Sequence, residues 1–207
     1  MEKIRVVGLG PGNIDYITKK GIDTIKSSEI AVGGARQLME ISSLLPADCY
    51  KYTLEKLSDL IVYLNLNRDK KITIIVSGDT GFYSLLSFLR RNYKNEELEV
   101  IPGISSYQYL FSRIGEVWQE YKLLSVHGRE TDYIEEFTKE KGIVLLTDNI
   151  NTPYAIAKKF YENGFADTEM VIGERLSYSD EKITILKIAE YESLNREFLM
   201  NIVIIRK

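Results

Sequence analysis

The stretch VVGLGPGN, residues 6–13, continues a short β-branched run into three glycines and a proline. A run of this kind is typical of a buried parallel strand. The glycines indicate a sharp turn, or backbone that something approaches closely. A dinucleotide-binding loop, G-x-G-x-x-G, would need glycine where Asn13 stands, and Pro11 has no N–H to offer a pyrophosphate. The stretch therefore predicts a strand and a tight turn but no dinucleotide, and a turn without any ligand remains an alternative.

Three further loops have the same design, each following a strand-like run. They are VSGDTGFYS (76–84), IPGISSYQ (101–108) and LLTDNINTP (145–153). In an open α/β sheet, loops that leave the carboxyl ends of strands line the ligand crevice. The four loops together predict a pocket that binds through backbone groups and small side chains, with Asp79, Ser105, Ser106 and Thr147 as candidates.

The chain reads as an α/β protein, because strand and helix patterns alternate along most of it. Strands are expected at 3–7, 29–33, 72–76, 98–102, 121–126 and 143–147. Helical spacing of apolar residues covers 15–28 and 54–66, and a helix is also expected at 80–91, with Asp79 as a possible N-cap. Thr152, Pro153 and Gly164 are typical of the N-cap, the first residue and the stop of another helix.

The last forty residues differ, since 168–176, 181–191 and 196–207 look like successive strands with turns between them. This pattern predicts a mixed or antiparallel sheet. The helical pattern also breaks near 115–121. We therefore expect two α/β domains, 1–116 with a mostly parallel sheet and 117–207 with a mixed sheet.

Composition excludes several classes of protein. The net charge of −3 gives no reason to expect a nucleic-acid partner, and no apolar run reaches the roughly 18 residues of a membrane span. The single cysteine, Cys49, fits a reducing compartment. With no leader pattern at the start, a soluble cytoplasmic protein is expected. The single histidine, His127, argues against a metal site built from protein side chains.

The motifs VGLGPGN, SGDTGFY, PGISS and LLTDNINTP, in this order and at these separations, resemble the tetrapyrrole (corrin/porphyrin) methylases. Within that family, VGGARQL (32–38), residues 102–118 and LSVHGRE (124–130) resemble the branch that methylates C5 of a cobalamin precursor. The resemblance covers essentially the whole chain. It implies S-adenosylmethionine as methyl donor, bound in a cleft between two domains, and cobalt-precorrin-7 or its cobalt-free equivalent as substrate.

The resemblance also implies site residues. The cofactor contacts it implies are Pro11, Gly78, Asp79, Phe82, Ser105, Ser106, Leu146 and Thr147. For the substrate's carboxylates it implies Arg36, Arg129 and His127, and less strongly Arg113, because arginine matches a carboxylate geometrically. His127 and Arg129 are also the expected catalytic residues, and no metal ligand is implied.

The chain departs from the family pattern at Asn13, where aspartate is usual, and at Thr80, where proline is usual. Neither change removes a side chain on which the expected site depends. Some relatives carry a second, C15-methylating and decarboxylating enzyme at their C-terminus. Since this chain stops at Lys207, that activity is expected on another polypeptide. A homodimer is expected because dimers are usual in the family.

Two alternatives remain open from the residues. One is another methylase of the same fold, acting at a different ring position or on a protein. The other is a non-catalytic protein that carries a tetrapyrrole or the cofactor. The HGR segment argues against the first, and the intact loops argue against the second.

Overall fold

The computed structural model describes residues 2–126, 128 and 131–207. The chain forms two compact units, Met1–Ser105 and Ser106–Lys207. The sequence placed the boundary at 116–117, and the difference is the helix Ser106–Ile114, which belongs to the second unit. Leu110 of that helix lies where a Cβ on Gly173, in the second sheet, would meet it at 3.1 Å. Phe111 also packs edge-on against the ring of Tyr121 at 4.8 Å between centroids.

The first unit is built on a five-stranded parallel sheet. Its strands are β1 (Ile4–Gly8), β2 (Ile30–Gly33), β3 (Tyr50–Thr53), β4 (Ile72–Val76) and β5 (Leu98–Ile101), in the order β3-β2-β4-β1-β5. Its helices are α1 (Lys19–Lys26), α2 (Ala35–Glu40), α3 (Leu57–Leu66) and α4 (Leu86–Leu89), with 3₁₀ turns at Ile14–Tyr16 and Asn95–Glu97.

The central strands β1 and β4 are buried on both faces. Val6 and Ile74 point into a cluster that contains Leu60 of α3. The neighbouring residues Val7 and Ile75 point to the opposite face, into a separate cluster. Because successive side chains of a strand alternate between faces, the apolar runs allow helices to cover both sides. Because all five strands are parallel, their carboxyl ends lie at one edge of the sheet.

The second unit holds a mixed sheet. Its strands are β6 (Tyr121–Ser125), β7 (Gly142–Leu146), β8 (Glu169–Glu174), β9 (Lys182–Lys187) and β10 (Asn201–Arg206), in the order β6-β7-β10-β8-β9. Only β6 and β7 are parallel to each other; the other neighbours are antiparallel. The helices are α5 (Ser106–Ile114), α6 (Tyr133–Lys139) and α7 (Pro153–Glu162), with a 3₁₀ segment at Ile188–Leu194.

The α/β class, the parallel first sheet and the mixed second sheet confirm the expectation from sequence. The prediction of a helix over 80–91 is wrong for the most part. Only Leu86–Leu89 of that range form an α-helix. The strand expected at 181–191 ends at Lys187, where the 3₁₀ segment begins. Strand β3 was not anticipated, since its residues YKYT are largely exposed and lack an apolar run.

Within the described part of the chain, none of the helices combines the length and the apolar character that crossing a membrane requires.

Candidate functional site

Three of the four predicted ligand loops meet at the carboxyl edge of the first sheet. A Cβ built on Gly103 would lie 2.2 Å from the carbonyl oxygen of Gly78 and 2.7 Å from the carbonyl carbon of Gly8. A Cβ built on Gly8 would lie 2.6 Å from the Gly78 oxygen. Side chains essentially never approach backbone so closely. Gly8 and Gly103 are therefore needed for contact between loops, whereas the sequence had left open a sharp turn or the close approach of a ligand.

Gly10 and Gly78 lock two of these loops together. The N–H of Gly10 donates to the Gly78 carbonyl oxygen at 3.1 Å, and the N–H of Gly78 donates back at 2.9 Å. Both residues have left-handed backbone, with φ of 79° and 66°, a conformation that glycine adopts without a steric penalty. The paired hydrogen bonds fix the position of Asp79, which follows directly.

The carboxylate of Asp79 joins two of the loops at this edge of the sheet. Its Oδ2 accepts a hydrogen bond from the N–H of Gly81 at 2.7 Å, and its Oδ1 lies 3.4 Å from the N–H of Gly103. The first bond is an Asx turn, so Asp79 does not cap a helix at 80–91 as the sequence had suggested. A carboxylate offers about four lone-pair sites, so two backbone donors leave acceptor capacity for a ligand's hydroxyl or ammonium group.

The remaining predicted cofactor residues of the first unit lie on the same loops. Pro11 and Phe82 are half-buried, in the loops that follow β1 and β4. Ser105 is buried and directly precedes α5. Ser106 is the first residue of α5 and is half-buried; it belongs to the second unit.

Arg36 lies at the beginning of α2, beyond the carboxyl end of β2. Its Nη1 is 2.7 Å from Glu40 Oε1, and its Nη2 donates to Ser77 Oγ at 2.9 Å. The side chain is 41% exposed, so it is held at the edge yet accessible to a ligand. Glu40 and Ser77 are contacts that the sequence did not reveal.

In the second unit, Leu146 and Thr147 mark the carboxyl end of β7. Thr147 Oγ1 donates to the carbonyl oxygen of Asn201 at 2.7 Å and lies 2.8 Å from Asn201 Oδ1. Asn201 begins β10, which is the antiparallel neighbour of β7. The hydroxyl of Thr147 thus positions the β7–α7 loop against the start of β10. Leu146 is half-buried.

Asp148 is a residue that sequence reasoning missed. Its carboxylate accepts hydrogen bonds from the N–H groups of Asn151 at 2.6 Å, Gly128 at 2.9 Å and Ile150 at 2.9 Å. These backbone donors, Asn151 and Gly128 foremost, lower the pKa of Asp148 to about 2. An aspartate directly after a strand, followed by Asn-x-Asn-Thr-Pro, is a detectable signal for such a turn.

The bond to Gly128 joins the β6–α6 loop to the β7–α7 loop. A cavity of about 720 Å³ lies beside this junction, with Asp148, Asn151 and Lys159 among its lining residues. That volume falls within the ~300–1,000 Å³ of small-molecule sites. His127 and Arg129, the predicted catalytic and substrate residues on either side of Gly128 in sequence, lie outside the described residues.

Metal ligands are not grouped in the described residues, where no three His, Cys, Asp or Glu side chains come together as a cation site would need. Arg113, the weaker candidate for a substrate carboxylate, pairs with Glu181 at 2.8 Å. This ion pair gives Arg113 a structural contact within the second unit.

Comparison with known proteins places this arrangement in a family. A cobalt-precorrin-7 C(5)-methyltransferase of Salmonella typhimurium is 30% identical over 203 residues, covering 98% of both chains. A precorrin-6Y methylase from Archaeoglobus fulgidus has a similar fold, with a TM-score of 0.75 at 21% identity over 99% of this chain and 98% of the other. A uroporphyrin-III C-methyltransferase from Thermus thermophilus, complexed with S-adenosylhomocysteine, matches with a TM-score of 0.77 at 19% identity, over 99% and 92% of the two chains. The family model "Tetrapyrrole (Corrin/Porphyrin) Methylases" matches residues 3–192, so this chain belongs to the tetrapyrrole methylase family.

Proposed function

We propose that the protein is an S-adenosylmethionine-dependent methyltransferase that methylates C5 of cobalt-precorrin-7, or of its cobalt-free equivalent. The observation that carries the proposal is the Salmonella typhimurium relative, which bears this activity in its name and aligns over 98% of both chains. The converging loops of the first unit support a cofactor site, because they place Gly78 and the Asp79 carboxylate, both half-buried, at one edge of the sheet.

The residues present fit the cofactor. When bound, S-adenosylmethionine supplies a methyl group activated by a sulfonium centre, so the protein's task is binding, orientation and exclusion of water. Asp79 is the acceptor for ribose hydroxyls or the ammonium group, and the bonds from Gly81 and Gly103 hold its carboxylate in place. Pro11, Gly78, Phe82, Ser105 and Ser106 are proposed as the surrounding contacts, with Leu146 and Thr147 from the second unit.

The substrate carries several carboxylate side chains, for which we propose three cationic or polar partners. Arg36 presents its guanidinium at the sheet edge, oriented by Glu40 and Ser77. His127 and Arg129 are proposed from their position in the HGR segment. A histidine can take up the proton that C5 methylation releases, since its ordinary pKa lies near neutrality.

A cytoplasmic homodimer remains our expectation for the assembly, and the C15-methylating enzyme is expected as a separate polypeptide of the same pathway. Closed dimers are the commonest protein oligomers. Light scattering at micromolar protein concentration checks the first point, and a monomer would contradict it.

The direct test is calorimetric titration with S-adenosylhomocysteine, with NADH as the unrelated ligand. We expect saturable binding of S-adenosylhomocysteine and no binding of NADH. Asp79→Ala should weaken it at least tenfold, because a charge-assisted hydrogen bond contributes about 1.5–3 kcal/mol. Asp69→Ala is the matched control, since Asp69 is 74% exposed and lies in the turn after α3.

The methyl acceptor is identified by incubating the enzyme with S-adenosylmethionine and cobalt-precorrin-7, and by locating the new methyl group by NMR. Methylation at C5 is the expected result. A product methylated at another ring position would favour a different methylase of the family. Cofactor binding without turnover of either the cobalt or the cobalt-free substrate would favour a carrier protein.

A further inference from the structure

Left-handed backbone at non-glycine residues occurs in two places within the described part of the chain. Four non-glycine residues have left-handed backbone: Tyr83, Arg175, Ser177 and Met200, with φ of 47°, 44°, 70° and 33°. Such residues are uncommon and cluster at functional sites. Tyr83 lies in the 76–84 loop with Asp79. The other three lie in the second unit, where no function has yet been assigned to them.

These three residues lie together at one edge of the second sheet. Arg175 directly follows β8 and Met200 directly precedes β10, and the N–H of Arg175 donates to the carbonyl oxygen of Met200 at 3.0 Å. The next residue, Asn201, accepts the hydrogen bond from Thr147. Two hydrogen bonds and the Met200–Asn201 peptide link therefore connect the β8–β9 turn, residues 175–181, to the predicted cofactor residue Thr147.

A strained turn persists only when its surroundings hold it. Glu181 closes the β8–β9 turn, and its Oε2 accepts a hydrogen bond from the N–H of Ser177 at 2.7 Å. Its Oε1 is 2.8 Å from Nε of Arg113 on α5. The Glu181 side chain is only 13% exposed. If the turn moved, water would therefore not fully replace the hydrogen bonds from Ser177 and Arg113.

The charge state of Glu181 agrees with this role. Burial alone would raise its pKa, but hydrogen bonds from Ser177, Tyr109 and Arg113 outweigh that effect and hold the pKa below its usual value. The carboxylate is therefore ionised near neutral pH. Because the carboxylate is ionised, the hydrogen bond that it accepts from the Ser177 N–H is charge-assisted.

We propose that Glu181 is a positioning residue that holds the left-handed β8–β9 turn, and through Met200 and Asn201 keeps Thr147 in the conformation that binds the cofactor. This inference rests on the proposed function. It assigns Glu181 no contact with the cofactor or the substrate. Arg113 serves as the counter-charge of Glu181, and we do not propose it as a partner for the substrate's carboxylates.

The test compares S-adenosylhomocysteine affinity with local order. Glu181→Ala should raise the Kd about tenfold, equivalent to about 1.4 kcal/mol, and should speed amide hydrogen exchange at residues 175–181. Arg113→Ala removes the ion pair with Glu181 and should change the Kd less than threefold. Glu162→Ala is the charge control, because Glu162 is exposed at the end of α7 and makes only a 3.9 Å ion pair; it should leave both readouts unchanged.

A rescue variant separates positioning from general destabilisation. Ser177→Gly relieves the left-handed strain, so adding it to Glu181→Ala should recover most of the lost affinity. If Glu181→Ala does not fold, Glu181→Gln replaces it, and exchange at 175–181 and the Kd should then rise together. Faster exchange with an unchanged Kd, or unchanged exchange, would overturn the inference.

The two proposals fail in different ways. If the folded wild-type protein does not bind S-adenosylhomocysteine, the proposed function is wrong, and with it the link from Glu181 to the cofactor. If the wild-type protein binds and Glu181→Ala binds equally well, only the role of Glu181 is wrong.

Discussion

At the scale of single residues, the glycines at the carboxyl edge of the first sheet resemble a ligand-binding motif. Their lack of a Cβ allows the backbones of neighbouring loops to pack closely. Gly103 has no left-handed φ, yet it tolerates no Cβ, because the Gly78 carbonyl oxygen would lie 2.2 Å away. The restriction at Gly103 is therefore one of space. Gly164 is restricted by its backbone conformation instead. Its φ is +85°, whereas a Cβ there would meet nothing within 4 Å.

The substitution pair Gly103→Ala and Gly164→Ala separates these causes. Gly103→Ala should lower the free energy of unfolding by at least about 2 kcal/mol and weaken S-adenosylhomocysteine binding, because packed backbone must move apart. Gly164→Ala should cost only about 1 kcal/mol, from its φ, and leave binding unchanged. Urea unfolding and calorimetry measure both. Equal stability losses for the two variants would argue against crowding at the sheet edge.

Asp148 leads to a prediction about pH. Its pKa in the folded protein is about 2, below the ordinary value of 3.8. A lowered folded-state pKa means that the charged carboxylate stabilises the fold above the unfolded-state pKa, and that this contribution is lost as pH falls through the folded-state value. The wild-type protein should therefore exceed Asp148→Ala in stability by about 1 kcal/mol at pH 6.

That difference in unfolding free energy should shrink as pH is lowered from about 4 to about 2. Asp69→Ala provides the control at an aspartate whose side chain is 74% exposed and whose ion pair with Lys70 spans 3.7 Å. A gap between wild type and Asp148→Ala that stays constant over this interval would show that the carboxylate's charge is not what joins the two loops.

At the scale of secondary structure, the elements that followed sequence signals are those with strong local determinants. The helix α7 has Thr152 as N-cap, with its Oγ1 accepting from the N–H of Ala155 at 3.2 Å, and Pro153 as its first residue. The buried strands β1 and β4 consist mostly of apolar, β-branched residues. The edge strand β3 has neither signal, and it is recognisable only by its pairing with β2.

The cap of α7 can be tested directly. Thr152→Ala should lower the free energy of unfolding by about 1 kcal/mol, because the Ala155 amide loses its acceptor. Thr138→Ala is the comparison, since the Thr138 hydroxyl is exposed on α6 and donates to the carbonyl oxygen of Glu135, within its own helix. Its substitution should change stability by less than about 0.5 kcal/mol. Thermal or denaturant unfolding of the two variants measures the difference.

At the scale of the whole molecule, ligand binding should be visible as stabilisation. At a concentration one hundred times its Kd, S-adenosylhomocysteine should raise the free energy of unfolding by about 2.7 kcal/mol. For a chain of this length that corresponds to a rise of roughly 5–10 °C in Tm. Scanning calorimetry of wild type and Asp79→Ala checks this, and a rise of the same size with NADH would indicate non-specific binding.

The division into two units was predicted from sequence, but its position was not. The change from a helical pattern to turn-like residues near 115–121 suggested a boundary at 116–117. Helix α5 instead belongs with the second unit, since Leu110 and Phe111 pack against β8 and β6. A linear pattern records where a helix ends, but it does not record which sheet the helix packs against.

The sequence by itself determined the class of fold, the order of most strands and helices, and the family. Each depends on local periodicity or on short motifs, and both are written along the chain. It also identified Asp79 and Thr147 as site candidates, because each lies in a loop at the carboxyl end of a predicted strand, where ligand crevices form in α/β sheets.

Only the tertiary structure decided what those loops do to one another. The bonds from Gly10 to Gly78, from Gly128 to Asp148 and from Ser177 to Glu181 join residues whose partnership no spacing rule specifies. The crowding at Gly103 likewise exists only where three strand ends converge. The physical reason is that hydrogen bonds and steric contacts depend on distance in space, and the packing of the sheet sets that distance.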